Sequence, residues 1–195
     1  MSCLNEYKWK IEPERFPKVI RNCPKCGCKT EYINTGKFRV NANKNSLDVW
    51  IIFQCKKCKS TWNMSIYERV NPGDIYKDEY IGFLENDEEL MRVYAFDERL
   101  YGRNKAEVSM DDIGFKVNKS SDWKQGEEDS VIDLSCDFPI KIRMDKFLSE
   151  NLTLSRSSIK KLIEDGSITV GERNISKGRI NPNLNIRISL KKQNL

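Results

Sequence analysis

Two Cys-x-x-Cys pairs constrain the fold of this chain more than any other feature. The first pair is Cys23 and Cys26 in NCPKCGC, and the second is Cys55 and Cys58 in QCKKC. Each pair can form a tight turn that presents two thiolates to one metal ion. For both pairs to share an ion, the 28 residues between them must leave the site and return to it. The sequence therefore predicts a tetrahedral zinc site with these four ligands, structural because four thiolates leave no position open for water.

The segment between the pairs has the pattern of a β-hairpin. Phe38–Val40 and Leu47–Phe53 are rich in strand-forming residues, and the turn-forming sequence NANKNS lies between them. A third strand, Thr61–Tyr67, is predicted after the second pair. Two cysteine turns with three strands resemble a zinc ribbon, which we expect to occupy residues 1–72.

Several alternatives remain open for the cysteines. Four thiolates also suit an iron–sulfur cluster, although tetrahedral zinc is the commoner occupant of this pattern. Disulfides are rare in the cytoplasm, and a thioredoxin-type motif would require a single pair in a βαβ unit. Cys28 can replace Cys26 as a ligand. Cys3 and Cys136 are expected to be unpaired thiols, with Cys136 acting as a small buried residue.

The chain contains 195 residues and no histidine, which removes whole classes of site. Without imidazole there is no Ser-His-Asp or Cys-His catalytic arrangement and no zinc site with histidine ligands.

The longest apolar run, Val49–Phe53, has five residues, so no membrane span is expected. The amino terminus, MSCLNEYKWK, lacks the apolar core of a secretory signal, and we therefore expect a cytoplasmic protein.

Charge is segregated along the chain. Residues 1–65 carry 13 Lys and Arg against 5 Asp and Glu, residues 66–138 carry 9 against 19, and residues 139–195 carry 12 against 5. Basic segments favour polyanions through release of counterions, whereas a membrane-surface protein is expected to use a basic amphipathic helix with a broad apolar face. The sequence shows no such helix, so nucleic acid is the better predicted partner.

The acidic middle of the chain, residues 73–138, is predicted to be a helical connector. Asp78–Tyr101 has the pattern of a helix capped by Asn86 or Asp87, and its apolar residues extend around much of its circumference. That distribution favours a role in the core over a role in binding. Residues 119–130, KSSDWKQGEEDS, have the composition of a flexible loop.

A short basic helix is predicted within LSRSSIKKLIEDGSITV, residues 154–170. Ser155 is a suitable N-cap, and Gly166 can adopt the left-handed conformation that ends a helix. At about 100° per residue, one buried stripe is formed by Ile159, Leu162 and Ile163. Arg156 and Lys160 lie side by side along the border of that stripe. Arg156 lies at the amino-terminal end of the helix, although the helix dipole favours cations at the carboxy-terminal end. A cation in this position suits the binding of an external anion.

Two packed helices and a small sheet are predicted for residues 139–195. A helix before the basic one can present Met144, Phe147 and Leu148 to the buried stripe. Ile168–Val170 and Leu184–Leu190 have strand-like patterns, and residues 171–174 are expected to form a hairpin turn.

The segment IRMDKFLSENLTLSRSSIKKLIEDGSITV closely resembles the small RNA-binding domain named after ribosomal protein S-four. The resemblance rests on an Arg-hydrophobic-Asp-Lys helix start, a Ser-Arg start of the second helix, and a Gly followed by a strand. It implies a basic surface that grips the phosphates of folded RNA, whose deep major groove hides the base edges. The residues to which this role is carried over are Arg143, Lys146, Arg156, Lys160, Lys177 and Arg179.

Over nearly its full length the chain also resembles an uncharacterised bacterial family, the domain of unknown function numbered 1062. The residues that carry this resemblance are NCPKCGCKTEYINTGKFRVNAN, LDVWIIFQCKKCKSTWNMSIYERVNP and the segment from IRMDKFL to SRSSIKKL. That family has no established activity. The resemblance therefore supports the domain arrangement and leaves the substrate open.

Together these patterns predict an α+β protein in three parts: a zinc-ribbon-like β module (1–72), an acidic helical connector (73–138) and a two-helix RNA-binding domain with a small sheet (139–195). We expect a non-enzymatic protein that engages structured ribosomal or transfer RNA, and through it the ribosome, with a structural Zn²⁺ and no membrane partner. Two alternatives stay open. One is an RNA-modifying enzyme whose carboxy-terminal domain delivers substrate, and the other is a DNA-binding zinc-ribbon regulator.

Overall fold

The computed structural model describes residues 5–111, 113–123, 129–138, 143–170 and 186–190. The strands are β1 (Asn5–Pro13), β2 (Lys18–Cys23), β3 (Cys28–Asn43), β4 (Ser46–Cys55), β5 (Thr61–Val70), β6 (Glu107–Ser109), β7 (Phe115–Lys119), β8 (Ser130–Cys136), β9 (Ile168–Val170) and β10 (Ile186–Leu190). The α-helices are α1 (Lys77–Glu85), α2 (Glu88–Ala95), α3 (Glu98–Arg103), α4 (Met144–Leu152) and α5 (Arg156–Glu164). The described residues therefore form a mixed α+β protein that is rich in strands.

The chain divides into two compact units. Residues 15–113 form the first, which we call the cysteine unit. Residues 1–14 and 114–195 form the second, which we call the helix-pair unit. This division differs from the three predicted modules, because β1 pairs with strands more than a hundred residues away instead of with its neighbours in sequence. The cysteine unit is thus an insertion between β1 and β7.

The cysteine unit is built on an antiparallel sheet in the order β5-β4-β3-β2-β6. Burial alternates along β4, where Leu47, Val49, Ile51, Phe53 and Cys55 are all buried. This period of two places every second side chain in the core. The predicted hairpin is present, and its strands extend to Asn43 and Ser46, leaving a turn of two residues.

The predicted helix of residues 78–101 is three short helices, and this corrects the sequence interpretation. Asn86 adopts a left-handed φ of 58°, which ends α1. The side chain of Asp87 caps α2 by accepting from the N–H of Leu90 at 2.7 Å, which confirms the predicted cap. Asp97 caps α3 in the same way through Arg99. The core role is confirmed, because Phe83, Met91, Leu100 and Tyr101 are buried against the sheet.

Residues 73–138, predicted to be a helical connector, contain strands as well as helices. Three strands, β6, β7 and β8, follow the helices, and they belong to two different sheets. Lys119, predicted to open a loop, ends β7 instead. The local propensities of these short strands are weak, and their pairing with distant strands decides their conformation.

The helix-pair unit contains a sheet in the order β7-β1-β8-β10-β9. Strand β1 pairs antiparallel with β7 and parallel with β8. Helices α4 and α5 pack against one another and supply apolar side chains to the same core as the sheet. Within that core the rings of Trp9 and Phe147 meet edge to face at 6.3 Å between centroids. Cys136 is buried here, as predicted.

The local structure of α5 confirms the sequence prediction. The hydroxyl of Ser155 accepts from the N–H of Ser158 at 3.1 Å. Ile159 and Ile163 are buried, and Leu162 packs partly buried against the same core. Gly166 has a φ of 77°, which is the expected left-handed conformation after the helix. Strand β9 is present as predicted, β10 covers residues 186–190 of the second predicted strand, and the predicted turn at residues 171–174 lies outside the described residues.

Within the parts of the chain listed above, no helix combines the length and the apolar character that a membrane crossing requires.

Candidate metal centre and basic helix surface

The two cysteine pairs sit on turns of the same construction. Cys23 ends β2 and Cys55 ends β4, so each turn begins where a strand stops. The N–H of Gly27 donates to the carbonyl of Cys23 at 2.9 Å, and the N–H of Lys59 donates to the carbonyl of Cys55 at 3.0 Å. Both donors have positive φ, 67° for Gly27 and 63° for Lys59. The repeated geometry curls each backbone so that both thiols of a pair turn inward.

The sheet brings the two turns together. Strand β3 lies between β2 and β4, and its Tyr32 pairs directly with Cys55. Since β2 and β4 both end at this side of the sheet, their terminal cysteines meet across β3. The long hairpin between the pairs is therefore what returns the chain to the site.

The four predicted sulfur atoms converge on one point. The Sγ atoms of Cys23, Cys26, Cys55 and Cys58 all lie within 4.8 Å of one another. Cys23 and Cys58 are 3.5 Å apart, and Cys26 and Cys55 are 3.9 Å apart. Tetrahedral zinc with Zn–S bonds of about 2.3 Å separates its sulfurs by about 3.8 Å. The group therefore has the size and the donor set of a four-thiolate metal site.

Cys28, the alternative ligand, lies outside this group. Its side chain is exposed, and the Nζ of Lys57 lies 3.6 Å from its sulfur. Cys23 and Cys55 are buried and Cys26 and Cys58 are partly buried, so the converging thiols are the ones removed from water.

Ser60 adjusts the acidity of the cysteine group. Its hydroxyl lies 3.3 Å from the sulfur of Cys23 and 3.1 Å from that of Cys58. Hydrogen bonding from Ser60, with a second contribution from Tyr32, lowers the pKa of Cys23 to about 5. Ser60 also lowers the pKa of Cys58. Hydrogen bonding from Cys58, together with burial, raises the pKa of Cys26 to about 12. The raised pKa disfavours the thiolate of Cys26, whereas a divalent cation at the site would favour it.

Lysines surround the cysteine turns. Lys25, Lys56, Lys57 and Lys59 are all exposed on the turns themselves. A Zn²⁺ ion with four thiolates carries a net charge of −2, so these cations complement a loaded site. Glu31 binds Lys56 at 2.8 Å and moderates this positive charge.

A second candidate site is the basic helix surface, which we define as Arg143, Lys146, Arg156 and Lys160. All four side chains are exposed. Arg143 makes a bidentate ion pair with Asp145, at 3.1 Å from Nε and 2.8 Å from a terminal nitrogen. Lys146 pairs with Glu150 at 3.7 Å. Two of the four cations are therefore already matched by carboxylates on α4.

Arg156 and Lys160 differ from the other two. In the part of the chain that the structure describes, neither makes an ion pair. The pKa of Asp145 is lowered first by its hydrogen bonds with Arg143 and further by the charge of Arg156. The starts of α4 and α5 are thus close enough for their arginines to act on the same carboxylate. Lys177 and Arg179, the remaining predicted contacts, lie outside the described residues.

Sequence reasoning did not assign roles to Ser60, Tyr32 or Asp145. Ser60 follows Cys58 by two residues, and this spacing beside a metal turn is the signal that was available. Asp145 lies in the Arg-Met-Asp-Lys helix start, where its burial with only 2% of its surface exposed was not evident. Tyr32 gave no local signal, because its hydrogen bond with Cys23 joins β3 to β2, two strands that pair with one another.

Comparison with known proteins identifies the family of the chain. None of the curated proteins matches the chain, and no solved structure matches it. A family model matches residues 40–174, a range that includes Cys55, Cys58 and helices α1 to α5 and excludes Cys23 and Cys26. That range is more than half of the chain. The protein therefore belongs to the family described as protein of unknown function (DUF1062).

Proposed function

We propose that this protein is a non-enzymatic RNA-binding protein that holds structured RNA, of the ribosomal or transfer type, on the basic helix surface. One observation carries the proposal: Arg156 and Lys160 are exposed one helical turn apart, without ion pairs in the described residues, along the border of the buried stripe of α5. A cation in the first turn opposes the helix dipole, so its position is unfavourable unless an anion is bound.

The chemistry of this surface suits phosphates better than bases. Lysine and arginine bind phosphate oxygens through charge-assisted hydrogen bonds, and such contacts fix position without reading sequence. Folded RNA offers closely spaced phosphates along its backbone. Arg143, whose side chain is 64% exposed, can contact a further phosphate while Asp145 holds its guanidinium in place.

The proposal includes a structural zinc ion in the cysteine unit. The four converging thiols supply a complete tetrahedral set, so the ion would stabilise the two turns and would leave no position for a catalytic water. Zinc is favoured over an iron–sulfur cluster because sulfur distances of 3.5 and 3.9 Å fit a single ion.

The double variant Arg156→Ala with Lys160→Ala tests the RNA proposal. Helix α5 should remain folded, because Ile159 and Ile163 still pack and alanine is a better helix former. Affinity for a structured RNA should fall. Loss of two phosphate contacts should also reduce the slope of log affinity against log salt by roughly 1 to 2. Filter binding or fluorescence anisotropy at several salt concentrations measures both quantities.

The matched control is Lys77→Ala with Lys161→Ala, which removes the same charge from exposed positions outside the basic helix surface. It should leave the salt slope unchanged. An equal slope for the two double variants would contradict the proposal, since the basic helix surface would then contribute only general charge. Competition by duplex DNA of the same length, at equal efficiency, would favour a DNA-binding protein instead.

A further inference from the structure

The sheet of the cysteine unit has an outer face that its helices do not cover. Because side chains alternate, the residues between the buried positions of β4 point to this face. They are Asp48, Trp50, Ile52 and Gln54, and all four are partly exposed. Helices α1 to α3 contribute to the core on the opposite face. We call these residues, with their neighbours on β3 and β5, the outer sheet face.

Trp50 lies at the centre of a row across three strands. It pairs with Arg39 on β3 and with Ser65 on β5. The guanidinium carbon of Arg39 lies 5.9 Å from the centroid of a Trp50 ring, which is a cation–π distance. The row therefore combines an aromatic surface for stacking with a cation that can also reach a phosphate.

The next rows add hydrogen-bonding groups and apolar surface. Ile52 pairs with the amide-bearing Asn63, and Gln54 pairs with Thr61 on one side and with Ile33 on the other. Ile33 is 37% exposed. Proteins recognise unpaired bases by stacking them on aromatic side chains and by hydrogen bonding to their edges, and amide and hydroxyl groups beside an aromatic residue provide both kinds of contact.

Charge on the outer sheet face is unbalanced near Trp50. Glu31 is matched by Lys18 and Lys56, and Glu107 is matched by Lys29. Lys37 and Arg39 are exposed and make no ion pair with any described residue. Asp48, the acidic residue on β4 of this face, accepts from the N–H of Arg69 at 2.8 Å. Arg39 lies beside the tryptophan and Lys37 precedes Arg39 by two residues on β3, so both cations remain available to an anionic partner.

We propose that the outer sheet face binds single-stranded nucleic acid, with a base stacked on Trp50 and phosphates held by Lys37 and Arg39. This inference deepens the proposed function, since it assigns the unpaired segments of the same RNA to the cysteine unit. Base stacking on aromatic side chains tolerates any sequence, so the site would accept single strands generally. A surface that binds another protein would instead be expected to have an apolar centre with few charged residues, whereas Arg39 lies at the centre of this face.

Binding of fluorescein-labelled oligouridylate of about twelve nucleotides tests the site, measured by anisotropy on the full-length chain. Trp50→Leu should weaken this binding by about tenfold, the loss expected for one stacked base. Trp50→Phe keeps a stacking ring and should restore most of the affinity. Tyr76→Leu, which removes an aromatic ring that is 83% exposed elsewhere in the cysteine unit, should change nothing.

Two comparisons separate this site from the basic helix surface. Trp50→Leu should leave binding of a hairpin RNA without unpaired tails unchanged, whereas the Arg156 and Lys160 double variant should weaken hairpin binding and spare oligouridylate. Equal oligouridylate affinity of Trp50→Leu and the native chain, with circular dichroism showing both folded, would overturn the inference. A change in sedimentation of Trp50→Leu with oligouridylate affinity intact would overturn it as well, because the face would then be a contact between proteins.

Discussion

At the scale of single residues, Asp145 shows how a buried charge can depend on one partner. Only 3% of its side chain is exposed, while the Arg143 that holds it is 64% exposed. Hydrogen bonds from Arg143 lower the pKa of Asp145 below its ordinary value of 3.8. A carboxylate removed from water is costly unless it is paired, so this pair fixes the start of α4.

Asp145→Asn is expected to destabilise the helix-pair unit by about 1–3 kcal/mol at pH 7, because the guanidinium loses its charged acceptor. The stabilisation by Asp145 is complete above its ordinary pKa and is lost as the pH falls through its lowered value in the folded protein. Urea denaturation of both proteins should therefore show unfolding free energies that converge in acid. Asp137→Asn is the control, because its ion pair with Lys10 is exposed and should contribute little. A difference that persists undiminished in acid would mean that the charge of Asp145 is not the cause.

At this scale the sequence was informative where the causes are local. The cap at Ser155, the left-handed Gly166 and the two Cys-x-x-Cys turns all depend on residues a few positions apart. The ion pair of Arg143 with Asp145 also spans two positions, but the burial of Asp145 is set by packing that a local pattern does not contain.

At the scale of elements, the two cysteine turns act together with the strands that end at them. Their sulfurs come from β2 and β4 and from the turns that follow, so a metal ion would tie together strands that β3 separates. The sequence predicted this convergence because each cysteine turn is local and the strand pattern between the pairs indicates a hairpin that returns the chain to the site. The hydrophobic pattern of residues 78–101 predicted one helix instead of three. The left-handed backbone conformation of Asn86, which ends α1, leaves no trace in the spacing of apolar residues.

Removal of one thiol is expected to remove the metal. Cys55→Ser should lower bound zinc from one ion per chain to near zero and should lower the thermal stability of the cysteine unit strongly, since structural zinc contributes on the order of 10 kcal/mol to coupled folding. Cys28→Ser is the matched control and should keep its zinc, because Cys28 lies outside the sulfur group. Elemental analysis after dialysis, with thermal melting, measures both. Loss of zinc in the control but not in Cys55→Ser would show that the ligand set is different.

At the scale of the whole molecule, the cysteine unit interrupts the helix-pair unit in sequence. The alternating Tyr7, Trp9 and Ile11 indicate a strand, but nothing near them in sequence identifies the partners. Those partners, β7 and β8, lie more than a hundred residues away. The insertion is therefore beyond prediction from local patterns, and residues 5–13 fall inside the predicted zinc-ribbon-like module (1–72) although they belong to the helix-pair unit.

Deletion of residues 15–113 is expected to leave a folded helix-pair unit. Pro13 pairs with Phe115, so the deletion leaves Glu14 and Gly114 as a two-residue turn of a hairpin, and Gly114 already has a φ of 66°. The shortened protein should melt cooperatively, contain no zinc and retain affinity for structured RNA. Separately produced residues 15–113 should bind one zinc ion. An unfolded deletion protein, judged by circular dichroism, would show that the units depend on one another for stability.

The insertion also sets the order in which the protein can fold during synthesis. Strand β1 leaves the ribosome first, but β7 and β8 are made only after the whole cysteine unit, so Trp9 and Ile11 have no sheet to join until then. Within the cysteine unit, Lys18 pairs with Ser109 near its two ends. Once that unit has folded, it holds the chain on either side of it at neighbouring positions, and closure of the loop between β1 and β7 costs little further entropy. Availability of zinc during translation would then control how soon the aromatic residues of β1 are sheltered from aggregation.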